Sequence, residues 1–369
     1  MSSLTKQGRP DFMMALAVLA LVTTGLMLIL SASSILAFNR YGDSLYFVKR
    51  QILFGALGVM VMAWMQGLEL DRLRKKAPMM MGISIFLLLC VLVPGLGKRV
   101  GGARRWLALG PLRFQPSELY KMALVLFASD RLATCIEQGK PWQMALMPVA
   151  IAAGAGSLLL MLEPDFGSTM LSLCMVVGVF YCAGMELKGV IWAVAGLVPF
   201  AAFMIIHSPY RLRRVMVFLD PWKDANGAGF QMTHSMMAFG TGGIFGTGLG
   251  EGKQKLYYLP EPHTDFIFAT AGEELGLLGC LLIVGFFGFL LWRCWALVLK
   301  ARDPFTKLAS LGLTLFLGLQ ILANLFVVLG LAPTKGTTLP FLSSGGSALA
   351  IDLLAVGLLL NFSKRVEGQ

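Results

Sequence analysis

The sequence predicts an all-α polytopic membrane protein with about ten transmembrane helices and a large external loop between the seventh and eighth. Hydrophobic residues make up 57% of the 369 positions and charged residues only 14%, whereas an ordinary soluble protein has about 25% charged residues. Apolar stretches of about 20 residues, the length that crosses a bilayer, recur along the chain. This composition argues against a secreted domain, a cytosolic enzyme and a nucleic-acid-binding protein.

Ten segments are predicted to span the membrane: 12–37, 48–67, 78–95, 117–135, 143–162, 166–185, 188–208, 271–297, 307–331 and 346–362. An even number places both termini on one side. The basic residues at 6–9, 68–77, 298–306 and 364–365 fall on that side, so the positive-inside rule predicts cytoplasmic termini. We expect residues 1–369 to form one integral membrane domain, in which 209–265 is an extracytoplasmic loop that carries site residues.

The cysteines and the glycine-rich run at 240–252 do not indicate a cofactor. No CxxC pair occurs among the six cysteines, so we expect reduced thiols that serve in packing. The glycine run departs from the nucleotide-loop pattern at Thr247 and Gln254. A tight backbone turn is the better interpretation.

The external loops carry basic residues that the positive-inside rule does not explain. They are Lys98, Arg99, Arg104, Arg105 and Arg113 in loop 96–116, and Arg211, Arg213, Arg214, Lys223, Lys253 and Lys255 in loop 209–265. An anionic ligand such as a phosphate or pyrophosphate accounts for them. Attraction to anionic lipid headgroups accounts for them equally well.

Asp265 lies where the polar loop passes into the eighth apolar segment. A carboxylate at a membrane boundary is partly desolvated, which raises its pKa and makes it a better general base. The alternative is structural: Asp265 is the N-cap of the following helix. Thr264 or His263 are further candidates for that cap.

Two other motifs place charges near the external ends of predicted spans. Pro116 and Glu118 suit the first and third positions of a helix, and Lys121 is spaced to form an ion pair with Glu118. The turn Glu163-Pro164-Asp165 either ties down the basic loops, holds a divalent cation or is simply solvated. Both motifs admit a functional and a structural interpretation.

The last external segment, before the tenth span, adds a cation and small residues. Lys335 lies in the run 333–336, and Ser347 ends the serine- and glycine-rich run 340–347. Asp352, inside the span itself, requires an internal partner or a water-filled cavity.

Taken in order, these motifs resemble the SEDS family (shape, elongation, division and sporulation), and its division branch more than its elongation branch. The resemblance covers nearly the whole chain and rests on segments 31–34, 46–51, 102–106, 115–118, 163–167, 213–215, 220–222, 229–231, 246–256, 259–268, 272–276, 333–336 and 344–347. Three residues depart from the family pattern. Tyr120 replaces a small residue, Ser344 stands where Tyr is common, and Asp352 belongs to no family motif.

The resemblance implies a peptidoglycan glycosyltransferase that polymerises lipid II, the undecaprenyl-pyrophosphate disaccharide-pentapeptide, at the outer membrane face during septal cell-wall synthesis. It implies that Asp265 is the catalytic base. The residues expected to bind substrate are Arg104, Arg105, Trp106, Glu118, Lys121, Arg213, Arg214, His263, Lys335 and Ser347. A divalent cation, Mg²⁺ or Mn²⁺, is compatible with this chemistry but is not required by the sequence.

The resemblance also implies a class B penicillin-binding protein, a transpeptidase, as partner, together with other membrane proteins of cell division. The location would be the septum in the bacterial cytoplasmic membrane. Two alternatives stay open at this point. One is a lipid II flippase, and the other is the elongation or sporulation paralogue of the same enzyme.

Overall fold

The computed structural model describes residues 8–100, 103–109, 112–253 and 263–367. Their secondary structure is predominantly helical. In chain order the elements are α1 (Phe12–Tyr41), α2 (Tyr46–Met65), α3 (Leu70–Leu92), β1 (Gly97–Val100), β2 (Ala103–Leu109), β3 (Leu112–Phe114), α4 (Pro116–Glu137), α5 (Gln143–Leu162), α6 (Phe166–Cys182), α7 (Leu187–Ile206), α8 (Pro209–Leu219), a 3₁₀ turn (Pro221–Asp224), α9 (Phe230–Gly242), α10 (Ile267–Lys300), α11 (Pro304–Val328) and α12 (Gly346–Glu367).

A long helix occupies each of the ten predicted spans. Among the described residues, eight of these helices are long and apolar enough to cross a membrane. The other two are α4, which carries charges near both ends, and α6, which has 17 residues. The prediction of a multi-pass membrane protein is therefore confirmed. The break at 163–165 and the helix start at Pro116 are also where the sequence placed them.

The helix ends follow from local sequence. Asp11 caps α1 by accepting a hydrogen bond from the Met14 N–H, and Gly42 ends the helix in the left-handed conformation with φ 69°. Asp303 caps α11 through the Thr306 N–H, directly before Pro304 at its first turn. These caps fix where the spans begin and end.

The packed centre of the bundle is formed by α11 and α12. Of the residues in the most apolar 18-residue stretch of each helix, 72% are buried in α11 and 83% in α12. The corresponding stretch of α7 is 0% buried, and none of that helix's residues, all of which the structure describes, is buried. A charged side chain near this buried centre therefore needs an oppositely charged or hydrogen-bonding group on α4, α11 or α12.

Loop 96–116 is more regular than the sequence predicts, and it adds a small sheet to the predominantly helical fold. It forms a three-stranded antiparallel sheet in the order β1-β2-β3, in which Lys98 pairs with Trp106 and Arg99 with Arg104. The strands are short and rich in charge, so they lack the alternation of apolar and polar residues that identifies a strand in sequence.

Loop 209–265 contains short helical pieces, namely α8, the 3₁₀ turn and α9. After α9 the glycine run turns back along α10, which is interrupted at Gly276 with φ 66°. Backbone bonds from Leu277 N to Gly243 O (2.9 Å) and from Thr247 N to Glu273 O (2.9 Å) join the two segments. The glycine run therefore satisfies backbone groups that the interrupted helix leaves unpaired. Residues 254–262, with the first part of the motif that leads to Asp265, lie outside the described residues.

Ion pairs join helices at the end of the bundle that lies away from the sheet and α8. Arg293 on α10 lies 2.7 Å from Asp11, and Arg74 on α3 lies 2.9 Å from Asp130 and 2.7 Å from Glu137 on α4. All six cysteines lie within the described ranges and are free thiols, as expected.

The topology is testable with reporters. A reporter fused after Lys76 or Arg302 is expected to be cytoplasmic, because these basic loops lie on the side of the termini. One inserted at Gly227 is expected to be external, because the seven predicted spans that precede it are an odd number of crossings. Enzymatic reporters that are active on only one side of the membrane would measure this. A cytoplasmic signal at Gly227 would place this loop, and Asp265 with it, on the cytoplasmic side and contradict the predicted topology.

Candidate functional site at one end of the bundle

Four helix ends converge at the end of the bundle that carries the sheet and α8. They are the N-terminal ends of α4, α10 and α12 and the C-terminal end of α11. The segment 329–345, between α11 and α12, covers them. Most of the residues singled out in the sequence lie here, although the chain brings them from positions more than 200 residues apart.

Lys121 is the cation at the centre of this end. Its side chain is fully buried, and its Nζ lies 2.8 Å from Glu118 Oε1 and 2.8 Å from Gln320 Oε1. The predicted ion pair with Glu118 is therefore confirmed. A buried ammonium group needs such partners because desolvation is costly. The hydrogen bond to Gln320 joins α4 to α11, and Glu118 Oε2 is buried with no hydrogen-bond partner among the described residues.

Asp265 is half-buried in a turn, residues 263–266, that immediately precedes α10. The N-cap of α10 is Phe266, which makes no side-chain cap hydrogen bond. The expectation that Thr264 or His263 caps the helix is therefore wrong, and Asp265 does not occupy the cap position either. The turn is instead held from the segment before α12. Ser343 Oγ donates to Thr264 O (2.6 Å) and Ser344 N donates to His263 O (2.8 Å).

Asn324 on α11 holds the same turn from the other side. Its Nδ2 donates to Asp265 O (3.0 Å) and to Thr337 O (2.6 Å). The Asp265 carboxylate lies against Gly336, since a Cβ added at Gly336 would be 3.2 Å from Asp265 Oδ2. The carboxylate is thus placed beside the segment that carries Lys335.

Lys335 brings a second cation to this end. Its side chain passes across Gly167 at the start of α6 so closely that a Cβ at Gly167 would collide with it. Burial, and then the charge of Lys121, lowers the pKa of Lys335 from 10.5 to about 8, against the opposing effects of Asp165 and Glu118. The ammonium group is therefore still mostly protonated at neutral pH and loses its charge as the pH rises through 8.

A cavity of about 560 Å³ opens next to this segment, between α8 and the start of α9. Its lining includes Arg213, Arg214, Gln231 and Thr334. Arg214 points inward, because its Nη1 donates to Thr334 O at 2.8 Å. Arg213 is exposed and pairs with Asp224 at 3.0 Å. Two guanidinium groups in one cavity wall favour an anionic ligand.

The turn Glu163-Pro164-Asp165 ties the sheet to α5 and α6. Arg105 on β2 donates to Glu163 O (3.2 Å) and also to Pro164 O, and Asp165 caps α6 through the Ser168 N–H (3.1 Å). The side chain of Glu163 is completely buried, and both its oxygens lack partners among the described residues. Burial, and then the charge of Asp165, raises the pKa of Glu163 to about 8. The solvated alternative for this turn is therefore wrong, and its backbone ties down a basic strand.

The described residues contain no group of three His, Cys, Asp or Glu side chains that could hold a metal ion. Mg²⁺ often binds through one or two carboxylates and completes its shell with substrate phosphates. The Mg²⁺ or Mn²⁺ compatible with the sequence thus stays a prediction, and none of the chemistry below depends on it.

The remaining residues expected to bind substrate lie around this centre. Arg104 and Trp106 are half-buried on β2. Ser347 Oγ accepts a hydrogen bond from Gln115 N at 3.2 Å. The ring of His263 is buried against Phe47, with 4.2 Å between ring centroids. Burial, and then the charge of Arg40, lowers the pKa of His263 to about 4, so its imidazole is neutral at neutral pH. The roles of these residues in substrate binding stay predictions.

Three amide side chains that were not predicted from the sequence organise the site. Gln320 and Asn324 lie four residues apart on α11, and Gln51 on α2 donates to Ser343 O at 3.1 Å. Amide side chains inside apolar spans are the signal that was available, because a buried polar group needs a partner. The family departure Tyr120 has a simple structural reason. Its hydroxyl donates to Ala153 O at 3.2 Å, and Gly156 on α5 leaves room for its ring.

The bundle and its one charged end define a multi-pass integral membrane protein with a polar site at one membrane face. Residues 11–368 match the profile of the FtsW/RodA/SpoVE family, described as cell cycle proteins, and the chain belongs to that family. The resemblance found in the sequence is thereby confirmed.

Relatives and solved structures of this family match over nearly the full length. The chain is 39% identical to the probable peptidoglycan glycosyltransferase FtsW of Trichlorobacter lovleyi, with 96% of this chain and 93% of the relative covered. It is 38% identical to the stage V sporulation protein E of Bacillus subtilis, with 98% of each covered. A chain in the structure of a peptidoglycan synthase complex that coordinates polymerization and crosslinking aligns with TM-score 0.77 and 31% identity, over 96% of this chain and 98% of that one. The rod shape determining protein RodA of Thermus thermophilus aligns with TM-score 0.71 and 30% identity, over 96% and 97%.

The buried acid Glu163 predicts a pH-dependent effect on stability. The folded protein keeps the Glu163 proton up to a pKa of about 8, while the unfolded chain releases it near the ordinary value, so wild type loses stability as the pH rises between these values. Glu163→Gln removes this titration. Its unfolding temperature in detergent is expected to exceed that of wild type by about 2–4 °C at pH 8, with a smaller difference at pH 5.

The exposed Glu186→Gln is the matched control for this experiment. It removes one carboxylate elsewhere and is expected to show no such trend. A Glu163→Gln difference that stays constant from pH 5 to pH 8 would show that Glu163 is not held as a neutral acid.

Proposed function

We propose that this chain is a peptidoglycan glycosyltransferase that polymerises lipid II at the outer face of the membrane. The single observation that carries the proposal is the position of Asp265. Its carboxylate lies against Gly336, one residue from the cation Lys335, at the end of the bundle that also holds the arginine-lined cavity. A base and an anion-binding wall are the two parts that sugar transfer from a pyrophosphate requires. Relatives that carry the name peptidoglycan glycosyltransferase support it.

The base acts on the acceptor. A sugar hydroxyl of the acceptor loses its proton to the Asp265 carboxylate as its oxygen attacks the anomeric carbon of the donor. Asp265 suits this role because its backbone is held by Asn324 and by the 343–344 segment, while the carboxylate is only half-buried. A fixed backbone with an accessible side chain keeps the base in one attack geometry.

The cations act on the leaving group. As the bond between the anomeric carbon and the phosphate oxygen breaks, negative charge develops on the pyrophosphate, and fixed cations stabilise that charge. Arg214 and Lys335 suit this role because Arg214 is bonded to Thr334, the neighbour of Lys335 in sequence. Arg213 and the half-buried Arg104 widen the positive surface. Lys121 is different, because its ammonium group is already engaged by Glu118 and Gln320. We assign it a role in shaping the site.

The proposal extends to partner and place. A class B penicillin-binding protein would cross-link the strands that this chain polymerises, and a matching chain from a peptidoglycan synthase complex supports such a partnership. We place the protein at the division septum with cytoplasmic termini, supported by relatives that carry the FtsW name.

Asp265→Asn is the sharpest test of the base. The amide keeps the size of the side chain but cannot accept a proton, so the rate of glycan polymerisation is expected to fall by about 10²–10⁴-fold. The measurement is polymer formed from lipid II by wild type and variant, each purified with its transpeptidase partner. Membrane insertion and partner binding are expected to be unchanged.

Two variants control that comparison. Asp224→Asn removes an exposed carboxylate from the same external loop and is expected to keep the wild-type rate. Asp265→Glu keeps the carboxylate about one bond away and is expected to retain a trace of activity. Near wild-type polymerisation by Asp265→Asn would mean that the carboxylate is structural.

The cavity makes a separate prediction about the cations. Arg214→Gln is expected to lower kcat/KM for lipid II by about tenfold or more, because it removes a charge-assisted contact from the cavity wall. Arg213→Gln should cost less, since Arg213 is exposed and paired with Asp224. Lys223→Gln, an exposed cation of the same loop, serves as the control for loss of net charge. Equal, small effects in all three would indicate that these cations only attract lipid headgroups.

A further inference from the structure

Segment 163–167, which comprises the turn before α6 and the first two residues of that helix, is contacted by cations from three other parts of the chain. Arg105 of β2 donates to two carbonyls of the turn. Arg211 of α8 lies over the ring of Phe166, with 5.4 Å between its Cζ and the ring centroid. Lys335, from the segment before α12, crosses the first turn of α6. Three separate external segments therefore meet at the start of one helix.

The closest of these approaches is that of Lys335 to Gly167. A Cβ placed on Gly167 would lie 2.6 Å from Lys335 Cδ and 2.8 Å from its Nζ, and closer still to the Cε between them. Real Cβ atoms essentially never come within 3.0 Å of another heavy atom. The end of the Lys335 side chain thus occupies the space that a side chain at position 167 would fill.

The backbone of α6 does not itself require a glycine at this position. Gly167 is the second residue of the helix, and its φ does not lie in the left-handed region. Asp165 caps the helix through the Ser168 N–H at 3.1 Å, so the first turn is already stabilised. In a helix, alanine is favoured over glycine. The space taken by Lys335 is therefore the structural reason for a glycine here.

The charges that act on the Lys335 ammonium group come from α4, from α6 and from the turn before α6. Lys121 of α4 repels it, whereas Glu118, Asp165 and the Cys174 thiol favour its charged form. The ammonium group is thus set between acids and a second cation. A small displacement along this gap changes both its own proton affinity and the field that it exerts on a bound anion.

We infer that Gly167 is a positioning residue, which fixes the place of the Lys335 ammonium group by leaving the first turn of α6 without a side chain. Its effect on catalysis rests on the proposed function, in which Lys335 stabilises the charge of the leaving pyrophosphate. Its effect on the place of Lys335 does not rest on that function. The stabilisation of developing charge depends on a fixed geometry, so one added methyl group is enough to weaken it.

Gly167→Ala adds that methyl group and tests the inference. The kcat for glycan polymerisation is expected to fall by about tenfold or more, because a small misplacement of a catalytic group is enough for such a loss. The unfolding temperature is expected to stay equal or to rise, because the substitution favours the helix and the group displaced is the end of a flexible side chain. Gly154→Ala is the matched control, since a Cβ at this helical glycine of α5 would have no atom within 4 Å. It should keep the wild-type kcat.

A double-mutant cycle shows whether Gly167 acts through Lys335. Lys335→Ala removes the Cδ, Cε and Nζ atoms with which the new methyl group collides. In that background, Gly167→Ala is expected to change the remaining kcat by less than about twofold, whereas it costs about tenfold in wild type. The same loss in both backgrounds would show that Gly167 acts independently of Lys335.

Trace acetylation of Lys335 gives a readout that does not depend on activity. Only the neutral amine reacts with acetic anhydride, so the pH midpoint of labelling, measured by mass spectrometry, reports the pKa of Lys335, which is about 8 in wild type. In Gly167→Ala the midpoint is expected to rise by about one pH unit or more, because repulsion from Lys121 directs the displaced ammonium group toward water. Gly154→Ala should keep the wild-type midpoint. This measurement is decisive even if purified wild type makes no polymer, a result that would count against the proposed function instead.

Two further results would overturn the inference. An unchanged labelling midpoint together with unchanged kcat in Gly167→Ala would show that Lys335 does not depend on the space at Gly167. A Gly167→Ala protein that loses thermal stability, in wild type and in the Lys335→Ala background alike, would make the glycine a packing residue of α6.

Discussion

The burial of Lys121 is the constraint on which the external site depends. An ammonium group without access to water must be neutralised and hydrogen-bonded where it lies, and here Glu118 and Gln320 do this at 2.8 Å each. The hydrogen bond between Lys121 and Gln320 fixes α4 against α11. One helical turn beyond Gln320, Asn324 binds the carbonyls of Asp265 and Thr337. The backbone of Asp265 is therefore held by α11, one of the two helices that the buried charge locks together.

The remaining contacts of the site extend this arrangement outward. The 343–344 segment holds the Asp265 turn, Gln51 of α2 holds Ser343, and Arg105 joins the sheet to the α5–α6 turn. Each joins elements that are distant in sequence, and several use a backbone carbonyl as acceptor. Such a frame leaves the Asp265 carboxylate against Gly336, the neighbour of Lys335 in sequence, and fixed groups of this kind are the pre-organisation that transfer to a sugar hydroxyl needs.

The spans were predictable from sequence because a bilayer imposes a length and an apolar composition that each segment shows by itself. The Glu118–Lys121 pair was predictable because both residues lie on one helix, three positions apart. The partners of Asp265 were not, since Asn324 and Ser343 approach it only through tertiary packing. The sheet was missed because its short, charged strands show no alternation of apolar and polar residues.

Polymer formation in detergent tests the central claim most directly. Purified protein, with its transpeptidase partner, would be given lipid II in micelles, where there are no leaflets between which a lipid could be moved. The account predicts glycan strands, because base and cations are already assembled at one end of the bundle. No strands in detergent, together with transfer of lipid II between the leaflets of a vesicle by the same preparation, would contradict it and identify a transporter.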